Sequence, residues 1–108
     1  MANKINFKEG SINFWIPENV FDFDDNQTHI LVNQGNLEGS IFIVKDGDNK
    51  LKFFHVLLGK GRTDVVIDVQ ELLKSEKHMI TATWSISKKE INLYIDGGKK
   101  HNTTKITY

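Results

Sequence analysis

Apolar and polar residues alternate along most of this chain, and the period is two. In residues 11–16, Ile12, Phe14 and Ile16 share one face, while Asn13 and Trp15 share the other. That is the side-chain period of a half-buried strand. Pro17 ends the strand because it has no ladder donor. The acidic stretch 22–26 reads as loop, and 29–33 as a short apolar strand closed by Gln34-Gly35-Asn36. Residues 40–45 and 50–58 form the clearest hairpin, since Asp46-Gly47-Asp48-Asn49 between them tolerates the positive φ of a tight turn. Gly59-Lys60-Gly61 breaks the second arm. Residues 63–69 alternate again, with Val65, Ile67 and Val69 inward.

The segment 70–77 is the one helical candidate, carrying Leu72 and Leu73. Residues 78–85 then place Ile80, Ala82 and Trp84 on one face and Thr81 and Thr83 on the other. Ser87-Lys88-Lys89 turns the chain. Residues 90–96 run back with Ile91, Leu93 and Ile95 inward and Asn92 and Tyr94 outward. A last polar strand, 100–108, follows the turn Asp96-Gly97-Gly98. Strands broken by turns at roughly 8–12-residue spacing predict an all-β, two-sheet antiparallel jelly-roll sandwich with one short helix. The predicted core is Ile12, Phe14, Ile16, Val65, Ile67, Ile80, Ala82, Trp84, Leu93 and Ile95.

Size and charge narrow the function classes. A chain of 108 residues makes one domain, spanning 1–108, and buries about two-thirds of its unfolded surface. Fourteen basic residues cancel fourteen acidic ones, which argues against nucleic acid as a partner. Without Cys there is no disulfide, thiol chemistry or Cys-ligated zinc. No apolar run approaches the roughly 20 residues that span a bilayer, so no membrane insertion is expected. No charged start leads into an apolar stretch, so no signal peptide is expected. The chain reads as cytoplasmic, or as a module of a longer exported protein.

Three stretches together resemble the LamG-like branch of the concanavalin A-like jelly-roll superfamily, which includes laminin G modules and pentraxins. They are Gly10-Ser11-Ile12-Asn13-Phe14-Trp15-Ile16-Pro17, His78-Met79-Ile80-Thr81-Ala82-Thr83-Trp84 and Ile91-Asn92-Leu93-Tyr94-Ile95-Asp96-Gly97. The resemblance runs from Phe7 to about Lys99. Two features depart from it. Lys77 stands where the family usually has Trp, and the family continues past the Asp-Gly turn through strands that close both sheets. The resemblance therefore implies a domain lacking closing strands, and with it an exposed edge and a homo-oligomer or a partner-dependent fold, against the alternative of a compact monomer whose short sheets need no closing strands. It also implies a range of functions, among them carbohydrate binding, protein adhesion and structural support.

No catalytic residues emerge, and the chain reads as no enzyme. Hydrolases of this fold place carboxylates on alternate residues of one strand. Here Asp64 and Asp68 share a face, but their backbones lie about 13 Å apart, too far for the pair of carboxylates that hydrolysis needs. His29, His55, His78 and His101 show no metal-ligand spacing. Asp22, Asp24 and Asp25 form an oxygen-rich loop that could take calcium, against the simpler reading of a solvated acidic loop. Metal sites are otherwise undefined. The chemistry of interest is aromatic. Trp15 and Tyr94 face away from the core residues of their own strands, where flat rings could stack on sugars while Asn13, Asn92, Thr81 and Thr83 bond hydroxyl groups. The competing reading packs both rings under a loop or a neighbouring subunit. Sequence thus points to a non-catalytic recognition module for carbohydrate. The alternative is a structural domain that forms a homo-oligomer with no small ligand.

Overall fold

The computed structural model describes residues 6–108. The strands are β1 (Glu9–Ile16), β2 (His29–Gly35), β3 (Gly39–Lys45), β4 (Lys50–Leu57), β5 (Gly61–Asp68), β6 (His78–Ser85), β7 (Glu90–Ile95) and β8 (Lys100–Lys105). They form two four-stranded antiparallel sheets, ordered β1-β6-β7-β8 and β2-β3-β4-β5. The all-β, two-sheet sandwich expected from the alternation is what the chain adopts. The chain changes sheet between β1 and β2 and again between β5 and β6.

Local chemistry fixes the turns. Between β3 and β4, Asp46 Oδ1 accepts the N–H groups of Asp48 (3.0 Å) and Lys50 (3.1 Å), and Asn49 takes the left-handed conformation at φ 60°. The only helical turn among the described residues is the 3₁₀ turn Asp96–Gly98. Segment 70–77 is not the helix its leucines suggested but two successive turns, Leu72 N–H to Val69 O (3.0 Å) and Glu76 N–H to Leu73 O (3.2 Å). A helix this short barely offsets its nucleation cost. Its carbonyls also have other partners: Leu73 O faces the His78 ring (3.0 Å), and Lys74 O accepts from Asn19 N–H (2.8 Å).

The core lies between the sheets. Of the expected set, Ile16, Val65, Ile67, Ile80, Ala82, Trp84, Leu93 and Ile95 are buried, joined by Ile41, Ile43, Phe53 and Ile91. Ile12 and Phe14 are only half-buried, because they lie on an edge strand whose flank is open. Gly10 is required here, since a Cβ would fall 2.7 Å from the Trp84 ring beneath it.

The two flanks of the sandwich differ. On one, β8 reaches across to β5: Lys100 Nζ donates to Asp68 O and Asn102 Nδ2 to Val66 O, both at 3.0 Å. The polar tail contributes more than its composition suggested. Its strand ends at Lys105, yet Ile106 is buried and the Tyr108 hydroxyl lies 2.8 Å from His55 Nδ1. On the other flank, between β1 and β2, a groove of about 610 Å³ runs over Ile12, Leu31, Val32 and Trp84.

Candidate functional site

Strand register decides which outward residues meet. On the outer face of the first sheet, Asn13, Thr81, Tyr94 and His101 form one cross-strand row, and Ser11, Thr83, Asn92 and Thr103 the next. Trp15 lies opposite Met79, one row further on. All six sequence-predicted residues, Trp15, Tyr94, Asn13, Asn92, Thr81 and Thr83, therefore share this face. The two aromatics do not form one platform. Two interstrand spacings of about 4.8 Å separate their strands, with Met79 and Thr81 of β6 between them. Tyr94 is half-buried and lies alongside His101, with ring centroids 6.1 Å apart.

The polar groups of this face partner one another. Thr81 Oγ1 donates to Asn13 Oδ1 (3.2 Å), Asn92 Nδ2 to Thr83 Oγ1 (3.1 Å) and Thr103 Oγ1 to Asn92 Oδ1 (2.5 Å). Such cross-strand pairs stabilise the sheet, and a ligand at Asn92 has to compete with them.

Trp15 is different. It is 54% exposed and borders a cavity of about 600 Å³ whose walls include Glu76, Lys77, Met79, Asp96 and Lys99. The Lys77 ammonium lies 5.0 Å from the indole centroid, a cation–π distance. Asp96 is held in place by its backbone (φ 54°), by Met79 N–H (3.0 Å) and by His78 Nδ1 (2.7 Å). Burial pushes its pKa up, but those two bonds outweigh burial and hold the carboxyl below its ordinary range. His78 is itself buried, with both ring nitrogens facing oxygen acceptors, Asp96 and Leu73 O. The cavity thus offers an exposed indole, a fixed carboxylate and two ammonium groups on the turn-bearing end of the sheet. A shallower depression of about 390 Å³ lies beside Tyr94, Asn92 and Glu90.

Two fully buried polar residues escaped the sequence reading. Lys45, on β3, bonds the Asp25 carboxylate, Gln27 O (2.9 Å) and Asn49 Oδ1 (2.9 Å). His55, on β4, has its Nε2 2.6 Å from Phe7 O and its Nδ1 facing the Tyr108 hydroxyl. Both occupy inward positions of alternating strands, after Ile41 and Ile43 and after Leu51 and Phe53, and that parity was the available signal. Asp25 also bonds His29 Nε2 (2.7 Å) and Gln27 N–H (2.9 Å). The Lys45 bond, reinforced by these, drives its pKa well below the ordinary carboxylate range against the opposing pull of burial. Its oxygens hold the loop onto the sheet, while Asp22 and Asp24 point to solvent. Among the described residues no three His, Asp or Glu groups are placed to hold a metal ion. Asp64 pairs with Arg62 (2.9 Å), and Asp68 caps the Gln70 N–H (3.1 Å).

No family model matches the chain, and no curated protein matches it.

Proposed function

We propose that this domain is a non-catalytic recognition module that binds carbohydrate at the outer face of its first sheet, centred on Trp15. The observation that carries the reading is the exposed indole at the rim of a cavity walled by Glu76, Asp96, Lys77 and Lys99. An indole stacks on the apolar C–H face of a pyranose, and fixed charged groups beside it bond the ring's hydroxyls. Asp96 suits this role, being held ionised and immobile. Tyr94, with Asn13, Thr81, Thr83 and Asn92, continues the surface for a longer glycan. The LamG-like resemblance of the three motifs supports the same class of ligand.

Calorimetry against a broad glycan panel, with and without calcium, tests this. Trp15→Ala should weaken binding at least about tenfold, or roughly 1.4 kcal/mol, with the far-UV spectrum unchanged. Tyr94→Ala should matter only for extended oligosaccharides. Silence across the panel, or binding indifferent to Trp15→Ala, would sink the reading. A second reading, an assembly domain formed by copies of this chain, is favoured by the open flank at β1.

A further inference from the structure

Four strand edges border the two sheets, and three carry a device that blocks pairing with another chain. β5 has its outward carbonyls at Val66 and Asp68 taken by Asn102 and Lys100. β8 presents Lys105, and β2 is interrupted by a bulge between Ile30 and Val32. Charged residues, bulges and covering side chains are how sheets suppress edge pairing. β1 is eight residues long and regular, carries no Lys or Pro, and is covered by no strand among the described residues.

Hydrogen-bond parity shows what that edge offers. Ile86 donates to Lys8 O (2.8 Å), so Lys8 belongs to a hydrogen-bonded pair with β6. Antiparallel alternation then turns Gly10, Ile12, Phe14 and Ile16 toward β6. The N–H and C=O groups of Glu9, Ser11, Asn13 and Trp15 are left pointing to the free side. The same rule, applied from Val69 N–H to Asn49 O, turns Val66 and Asp68 outward on β5, and these are the carbonyls that Asn102 and Lys100 cap.

We infer that the β1 edge pairs antiparallel with β1 of a second copy of this chain about a two-fold axis through Ile12. Only registers that match outward groups with outward groups form bonds, and centring on Ile12 is the one that pairs all four. Glu9 then faces the partner's Trp15, and Ser11 faces the partner's Asn13. On the inner side, Phe14 covers the partner's Gly10, and the two Ile12 side chains meet over the groove. This buries the two core residues that the single chain leaves half-exposed, along with the flank of Leu31 and Val32. Charge agrees with the register. Glu9 and Trp15 share the outer face, and Lys77 sits over Trp15, so each Glu9 carboxylate comes beside an ammonium of the other copy. The interface is isologous, as two-fold pairing requires. Both sheets of strands β8-β7-β6-β1 become one continuous sheet.

Light scattering coupled to size exclusion, over a range of micromolar concentrations, tests the assignment. The expected species has twice the chain mass of 12.4 kDa. Ser11→Pro removes an outward N–H that β6 does not use and should return the mass to 12.4 kDa with the fold retained. Glu9→Lys alone should weaken the dimer, and Glu9→Lys with Lys77→Glu should restore it. The charge pair decides the matter if Ser11→Pro does not fold. A monomer at every concentration overturns the inference, as does a dimer that neither Ser11→Pro nor Glu9→Lys shifts. Neither result touches the carbohydrate reading, because Trp15 faces outward in the single chain as well.

Discussion

Replacing Lys45 by Met should be among the most destabilising surface-neutral changes in this domain. Lys45 is fully buried, and its ammonium donates to three acceptors, the Asp25 carboxylate, Gln27 O and Asn49 Oδ1. Met keeps the unbranched stem, so lost packing contributes little. What remains is a carboxylate and the Gln27 carbonyl without this donor, while Asn49 Oδ1 keeps the Asn26 N–H (2.9 Å). Removing one partner of a buried ion pair costs about 3–5 kcal/mol. Asp25 retains His29 and the Gln27 N–H, and its side chain is 21% exposed, so water can compensate part of the loss. The expected cost is therefore about 3 kcal/mol, the lower end of that range. Adding Asp25→Asn should recover part of it, because the stranded charge is then gone. The deficit should also shrink in acid. Asp25 has a depressed folded pKa, so its contribution is complete above the unfolded value of about 4 and fades as pH falls below it. Urea unfolding followed by the fluorescence of buried Trp84 measures all of this. A Lys45→Met protein within 1 kcal/mol of the parent would refute the view that this cation pins the 17–28 loop.

Two further substitutions probe the core. Leu93→Ala, at a fully buried site, should cost about 3–4 kcal/mol, and Phe14→Ala, half-buried, about 2 kcal/mol or less; equal costs in dilute urea titrations would contradict the open flank at β1. His55 has its pKa lowered by burial, against the opposing pull of its bond to Phe7 O, so an unfolded chain binds a proton near pH 6.5 that the folded one refuses. The stability advantage of the parent over His55→Gln should accordingly be largest above pH 6.5. It should decline toward pH 5 by at most about 1.4 kcal/mol per pH unit, and an advantage that grows with acid would reverse the assignment.

Much of this architecture was legible because a strand's burial is written in its own alternation. β1 and β3 to β7 could be placed from that pattern, and the turn at 46–49 from residues suited to positive φ. Most of the failures trace to contacts made outside the segment itself, which its own periodicity does not record. Whether Leu72 and Leu73 belong to a helix is decided by His78 and Asn19, which take the carbonyls of 73 and 74. Ile12 and Phe14 alternate like core residues, yet strand periodicity does not say which strand is at an edge. Alternation turns the set from Asn13 to Tyr94 outward, and the register places these residues on one face. That Trp15 and Tyr94 stand apart on it follows only from the β1-β6-β7 register, which pairs residues about seventy positions apart in the case of β1 and β6. Lys45 and His55 were hidden differently. Their residue types point outward by habit, and only strict parity placed them inside.

The proposed pairing edge and the proposed binding face both belong to β1, and the way that strand is held suits it to either. Its lead-in is fastened from beneath: Phe7 is buried, its carbonyl accepts from His55, and Asn6 O accepts from the Trp84 indole at 2.7 Å. Its far end is fixed by buried Ile16 opposite His78, which in turn is tied to Asp96. β1 therefore presents its free edge and its outer face from an ordered backbone, and binding on either side loses little further conformational freedom. Such preorganisation favours a flat, self-complementary edge over a flexible one. On the two proposals together, Trp15 is approached from two directions, by ligand at the outer face and by Glu9 of a second copy along the edge.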